Sequence, residues 1–156
     1  MSRARLLALF VLAVGLVVFI ALRGPARPDE EQVRELIAAV AEAARAGDLE
    51  ATMEPVSTSY HDEDGLDRQA LAGMLFSQYR KRGGVSVVLG PVLVALDGAG
   101  GATASFEAAL ADGADITALE LLPQDADLLH FEVALRQEEG DWRITSHRRE
   151  PVFRER

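Results

Sequence analysis

The chain predicts an α+β domain, with helices packed on one face of an antiparallel sheet, carried behind a single membrane-spanning helix. Three observations carry this. Leu6–Leu22 is a run of 17 residues without a charge, set between Arg3/Arg5 and Arg23/Arg27. From Asp29 to Tyr79 apolar residues recur at helical spacing, and from Val85 onward the period switches from 3.6 to 2, with Gly-rich turns between the runs. Helical runs followed by a run of strands specify α+β.

At 1.5 Å per residue Leu6–Leu22 spans about 25 Å, close to a hydrocarbon core of roughly 27–30 Å. Signal-peptide cores run about 7–15 residues and end at a small-x-small site. The only such site here, Gly24-Pro25-Ala26, has a proline at its centre. The segment therefore reads as a retained anchor, with a cleaved signal as the alternative. The chain has no cysteine, which excludes attachment to a lipid through one. Lys/Arg excess marks the cytoplasmic side, and here the two flanks nearly balance. A five-residue leader most often stays inside, which places the domain on the periplasmic side of the inner membrane as a single-pass protein. The organisation is then 1–5 leader, 6–22 transmembrane anchor, 23–28 linker stiffened by Pro25 and Pro28, and 29–156 domain.

About 128 residues suffice for one domain with a real core. Four of the chain's 16 basic residues precede Asp29 and all 25 acids follow Pro28, so the domain holds 12 basic residues and a formal charge of −13. Such a field disfavours nucleic acid and anionic leaflets alike.

Each element has a local reason. Asp29 is expected to cap a first helix, with Glu30 and Glu31 in its favourable first turn. Val33, Leu36, Ile37, Val40 and Ala44 form its apolar stripe, and Gly47 stops it. Asp48 opens a short second helix that Pro55 ends. Tyr60–Gly65 reads as a short strand running into a turn. Asp67 caps a third helix through Leu71, Met74, Leu75 and Tyr79, closed by Gly83-Gly84. Val85–Leu96 is a strand apolar on both faces, with a bulge or bend at Gly90-Pro91 because proline cannot donate to a ladder. Its second apolar face suggests a homodimer through the sheet. Asp97–Gly101 turns into a strand over 102–110, 111–127 stays open, and 128–137 with 142–150 forms a closing hairpin around Glu139-Gly140.

The helix break at Ala46-Gly47-Asp48-Leu49, the turn Tyr60-His61-Asp62-Glu63-Asp64-Gly65, and the closing Gly140-Asp141-Trp142-Arg143-Ile144 with Pro151 resemble the nuclear transport factor two-like superfamily. More narrowly the chain is similar to its membrane-anchored or exported bacterial members of unknown function. The likeness runs from about Asp29 to Val152. It implies a curved antiparallel sheet forming a cone, with the three helices packed on its concave face. The superfamily includes isomerases, dehydratases, cyclases and non-catalytic modules on one scaffold, so it gives the fold and leaves the chemistry to the site.

The resemblance implies two catalytic arrangements. Ketosteroid isomerase-like members pair a carboxylate with a tyrosine of the first helix, and the first helix here has no tyrosine. Scytalone dehydratase-like and polyketide cyclase-like members use His/Asp pairs in the cone, which makes His61, Asp62 and His130 the candidate catalytic set. Facing tests it. A two-residue turn sets Leu135 opposite Ile144 and, continued regularly, Glu132 opposite His147. Leu129, Phe131, Val133, Leu135, Trp142 and Ile144 then share the core face. His130, Glu132, Arg136, Arg143, Thr145, His147 and Arg149 share the outer one.

The Asp62-Glu63-Asp64 run lacks calcium-loop spacing and reads as a solvated turn, so no metal or other cofactor is expected. The basic tail from Arg143 to Arg156 reads as a solvated strand and chain end. Tyr60, Tyr79, Phe106, Phe131 and Trp142 are the aromatics placed to line an apolar pocket. These readings favour a non-catalytic, membrane-tethered binding or interaction module, its partner a small apolar ligand in the cone or another protein against the sheet. The alternative is a cone-type lyase or isomerase using Asp62 with His61 or His130.

Overall fold

A computed structural model describes residues 27–82, 85–112 and 127–152. In chain order these form α1 (Asp29–Ala46), α2 (Leu49–Met53), α3 (Arg68–Arg82), β1 (Val85–Leu89), β2 (Leu93–Leu96), β3 (Gly101–Asp112), β4 (Asp127–Glu138) and β5 (Asp141–Pro151). No described helix is long and apolar enough to cross a membrane, and the Leu6–Leu22 span lies outside the described residues.

The helix ends follow the sequence closely, with one correction. Pro28, not Asp29, is the N-cap of α1, and its carbonyl accepts from the Glu31 and Gln32 amides. Asp29 is the first helical residue and joins the acidic first turn, where its charge faces the positive end of the helix dipole. Gly47 ends α1 in the left-handed conformation (φ 67°), which glycine adopts without a Cβ clash. The side chains of Asp48 and Asp67 accept from the amides of Ala51 and Ala70, three residues ahead of each, as N-caps do. Between α2 and α3 the chain bridges Ile144 at Val56, turns at Thr58-Ser59, and runs extended through His61, which forms an isolated bridge with Asp67 around the turn expected at Asp62–Gly65.

The long strand expected over Val85–Leu96 is two strands. Both pair antiparallel with β3, Val88 opposite Ala109 and Val94 opposite Ala104, and the Gly90–Val92 stretch breaks the ladder between them. The bend lies at Gly90-Pro91, where Pro91 has no amide to give. The sheet order is β1-β3-β4-β5 with β2 also on β3. Alanines at 102, 104 and 108 line the inner face of β3 and are buried, which lets the helices approach. Val33, Ile37, Tyr60, Leu135, Trp142 and Ile144 complete a single core with them. On the outer face of the sheet Val88 is 4% exposed, while Leu93 is 71% exposed.

The β4–β5 hairpin turns through Glu139 (φ 53°) and Gly140 (φ 92°), the two left-handed residues of a type I′ turn. Leu135 lies opposite Ile144, as expected. Beyond that pair the expected register fails. A β-bulge at Thr145 makes Ala134 face Ser146, Val133 face His147 and Glu132 face Arg148. One extra residue inverts the alternation, so His147 and Arg149 share the inner face with Val133 and Phe131 instead of the outer one.

The cause of the bulge is tertiary. The carbonyls of Ile144 and Thr145 both accept from the segment after α2, from the amides of Ser57 (2.9 Å) and His61 (3.1 Å). Consecutive carbonyls of a regular strand point to opposite edges, so serving both donors on one edge requires an extra residue. On the other edge the Thr145 hydroxyl donates to the Ala134 carbonyl at 3.2 Å and stands in for an amide of the interrupted ladder.

Candidate functional site

The concave face of the sheet and the helices enclose an apolar cavity of about 420 Å³, within the size range of small-molecule sites. α1 contributes Ile37, Val40 and Ala44; α3 contributes Leu71, Met74, Leu75 and Tyr79; the sheet contributes Val87, Leu89, Phe106, Leu129, Phe131 and Val133. Its aromatic wall is a ladder. Phe106 and Phe131 stack 5.4 Å apart at 12°, Phe131 and His147 lie 6.3 Å apart at 25°, and His147 and Tyr60 follow at 6.1 Å and 24°. Within the lining the Thr52 hydroxyl donates to the Asp48 carbonyl at 2.6 Å and accepts from the Tyr79 hydroxyl, 3.2 Å away.

The chemically active part is a chain of three groups. Tyr60, Asp62 and His147 come from the α2–α3 connection and from β5, which the bulge joins. The Tyr60 hydroxyl donates to Asp62 Oδ2 at 3.0 Å and is hydrogen-bonded to His147 Nδ1. Once the hydroxyl hydrogen is given to Asp62, Nδ1 must be the donor to the hydroxyl oxygen, which leaves Nε2 with its lone pair. Nε2 has no hydrogen-bond partner among the described residues, and the imidazole lines the cavity with its side chain 17% exposed.

The ionisation states agree with that assignment. Burial would raise Asp62, but hydrogen bonds from the Leu66 amide and the Tyr60 hydroxyl, helped by His147, more than offset this and hold it below the ordinary value of 3.8. Burial, with the Asp62 bond next, pushes the Tyr60 hydroxyl well above its usual 10.0, so it stays protonated as a donor. Burial of His147 outweighs the Asp62 charge and lowers it below 6.5, so the ring is neutral at neutral pH. Asp62, 3.7 Å from Nδ1, is the carboxylate that would stabilise the imidazolium formed when Nε2 takes a proton. A neutral imidazole oriented by a hydroxyl and an ionised acid has the proton-accepting nitrogen that general-base chemistry requires.

The sequence-derived candidates are divided by this geometry. Asp62 is in the cluster, but neither His61 nor His130 is with it. Consecutive residues of an extended chain alternate, so Tyr60 and Asp62 turn inward and His61 is exposed. His130 sits between Glu107 and Glu150 on the outer sheet face, opposite in direction to Phe131. Tyr60, Tyr79, Phe106 and Phe131 line the cavity, whereas Trp142 does not: it is 6% exposed, packed in the core, and its Nε1 finds no partner among the described residues. His147 is the residue that the hairpin register alone misplaces. A signal was present in the polar Thr145-Ser146 pair, where a strand can bulge, but the donors that require the bulge lie more than eighty positions away in the chain. No group of three or more potential metal ligands occurs among the described residues.

No family model matches the chain, and no curated protein matches it. Solved structures share its fold. A Bdellovibrio bacteriovorus protein superposes with a TM-score of 0.67 at 7% identity over 80% of this chain, which spans only 41% of that longer one. A Streptomyces avermitilis protein of the NTF2-like family, carrying the name of a dehydratase, gives 0.65 at 20% identity over 81% of this chain and 97% of its own. An NTF2-like protein with a cystatin-like fold from Novosphingobium aromaticivorans gives 0.61 at 22% identity over 87% of each. The fold is that of the nuclear transport factor two-like, cystatin-like class, and at these identities the likeness extends to fold alone.

The state of His147 sets a pH dependence. Its folded pKa is below 6.5, so the unfolded chain binds the proton more readily; the stability this represents is complete above 6.5 and declines as the pH falls through the folded value. Denaturant midpoints should drop between pH 7.5 and 5.5 in the wild type and less in His147→Gln. An NMR titration should find His147 below 6.5 and lower again in Asp62→Asn, which removes the charge favouring imidazolium. An unchanged or raised value in that variant would contradict the cluster.

Proposed function

We propose that the domain binds a small, mainly apolar molecule in its cone and moves a proton on it through His147, as a cone-type lyase or isomerase. The observation that carries this is the neutral imidazole on the cavity wall, with Nδ1 held through Tyr60 against the Asp62 carboxylate. His147 Nε2 takes a proton from a carbon next to a carbonyl, and the electron pair of that C–H bond passes into an enolate. The imidazolium then returns the proton. Given to a departing β-hydroxyl it releases water and completes a lyase reaction; given to a carbon further along it completes an isomerisation. The apolar walls exclude competing water. The dehydratase name on the Streptomyces avermitilis structure is in keeping with this reading.

A non-catalytic binding module is the second reading, favoured by the preponderance of apolar side chains around the cavity. One experiment separates the two. A panel of cyclic and aromatic enolisable ketones is incubated with the protein in deuterated water, and exchange at the α-carbon is followed by mass spectrometry. At least one ketone should exchange faster than in buffer, and His147→Gln should lower that rate by roughly 10²–10⁴. Ketones that bind without exchanging would establish the binding module instead.

The reading also includes tethering by Leu6–Leu22, whose length and arginine flanks fit a single span that leaves the domain outside the cytoplasm. An alkaline wash of cell membranes should leave the full chain in the pellet. A soluble product beginning near Arg27 would contradict the tether.

A further inference from the structure

We infer that the cone's ligand is an acid: a flat, mainly apolar molecule carrying one carboxylate, which Arg149 at the cavity wall receives. This rests on the cavity being a ligand site, as proposed above.

The placement of Arg149 is the first observation. Regular alternation would put it on the outer face of the sheet, among the other charged residues of β4 and β5. The bulge at Thr145 turns it inward with His147, directly across from Phe131, and it lines the cavity. Arg149, a solvent-exposed residue at the cavity's rim, is thus level in the ladder with Phe131, whose ring stacks on Phe106 and offers a flat ring system a surface to lie against.

The second observation is that its charge is uncommitted. The domain has about twice as many acids as bases, and two of the arginines on β5, Arg143 and Arg148, find them. Arg148 meets Glu132 at 2.6 Å, with Glu150 and Glu63 near by, and Arg143 meets Glu54 and Asp141, both at 3.4 Å. On the helices, Arg34 pairs with Glu30 and Arg45 with Glu42. Arg149 pairs with no carboxylate among the described residues, including Asp127, which borders the same cavity. A guanidinium presents a fork matched to a carboxylate, and a cavity lined mainly by apolar side chains strengthens such a pair. The net field of the domain repels anions, so any preference for an acid has to come from a local cation.

Isothermal titration of the full chain in nonionic detergent, with protein-free micelles as the blank, compares 2-naphthoate with its methyl ester. The two share a ring system and differ in charge. The acid should bind about fivefold more tightly than the ester, the span expected of an ion pair at a solvent-accessible rim. That preference of acid over ester should vanish in Arg149→Leu, survive in part in Arg149→Lys, and be untouched in Arg148→Leu. Equal affinity for acid and ester in the wild type, or a preference that persists in Arg149→Leu, would overturn the inference while leaving the cavity a ligand site. Failure of both compounds to bind would overturn the inference and the ligand-site reading together.

Discussion

One extra residue in β5 decides what faces the cone. The amides of Ser57 and His61 need acceptors on the free edge of β5, and the consecutive carbonyls of Ile144 and Thr145 supply them. Serving both from one edge forces the bulge, and the bulge inverts every side chain beyond it. Upstream of Thr145 the strand faces its core side with Trp142 and Ile144, both buried and apolar. Downstream the same face carries His147 and Arg149. The connection that imposes the bulge is the one that delivers Tyr60 and Asp62, so a single set of backbone bonds both turns the histidine inward and places its partners beside it.

That coupling explains how an ionised carboxylate can sit in a largely apolar interior. Asp62 is 6% exposed, and desolvation alone would favour its neutral form. It accepts instead from the Leu66 amide at 2.8 Å and from Tyr60, while the chain folds back over it through an Asp62 amide bond to the Leu66 carbonyl. The charge is held by the turn that follows it, and the tyrosine carries its influence to the imidazole. The outer face of the sheet is organised differently. There Glu107, His130 and Glu150 lie side by side, and Glu132 pairs with Arg148 in solvent, an arrangement worth little to stability.

Much of the fold was legible because its signals are local. Gly47, Asp48, Asp67 and Glu139-Gly140 act within a few residues of themselves, and each ends, starts or turns the element expected of it. Pro91 marked the break between β1 and β2 for the same reason, though not that the segment divides into two strands on β3. The site was less legible because its decisive signal is distant. Tyr60, Phe106 and Phe131 could be picked as aromatic wall residues from pattern alone, but the partner of Asp62 depends on a register set by residues 55–61 on a strand that begins at Asp141. An unbroken two-residue hairpin was the simplest reading of 128–150. It holds from the turn to Ile144 and fails at the first position where another segment competes for the strand's carbonyls.

Everything at the site depends on the bulge at Thr145 in β5 that brings His147 opposite Val133. Backbone nuclear Overhauser effects across the hairpin in the isotope-labelled protein test it most directly. Contacts should pair Leu135 with Ile144, Val133 with His147 and Glu132 with Arg148. Contacts pairing Glu132 with His147, the signature of an uninterrupted ladder, would put the imidazole on the outer surface and contradict it.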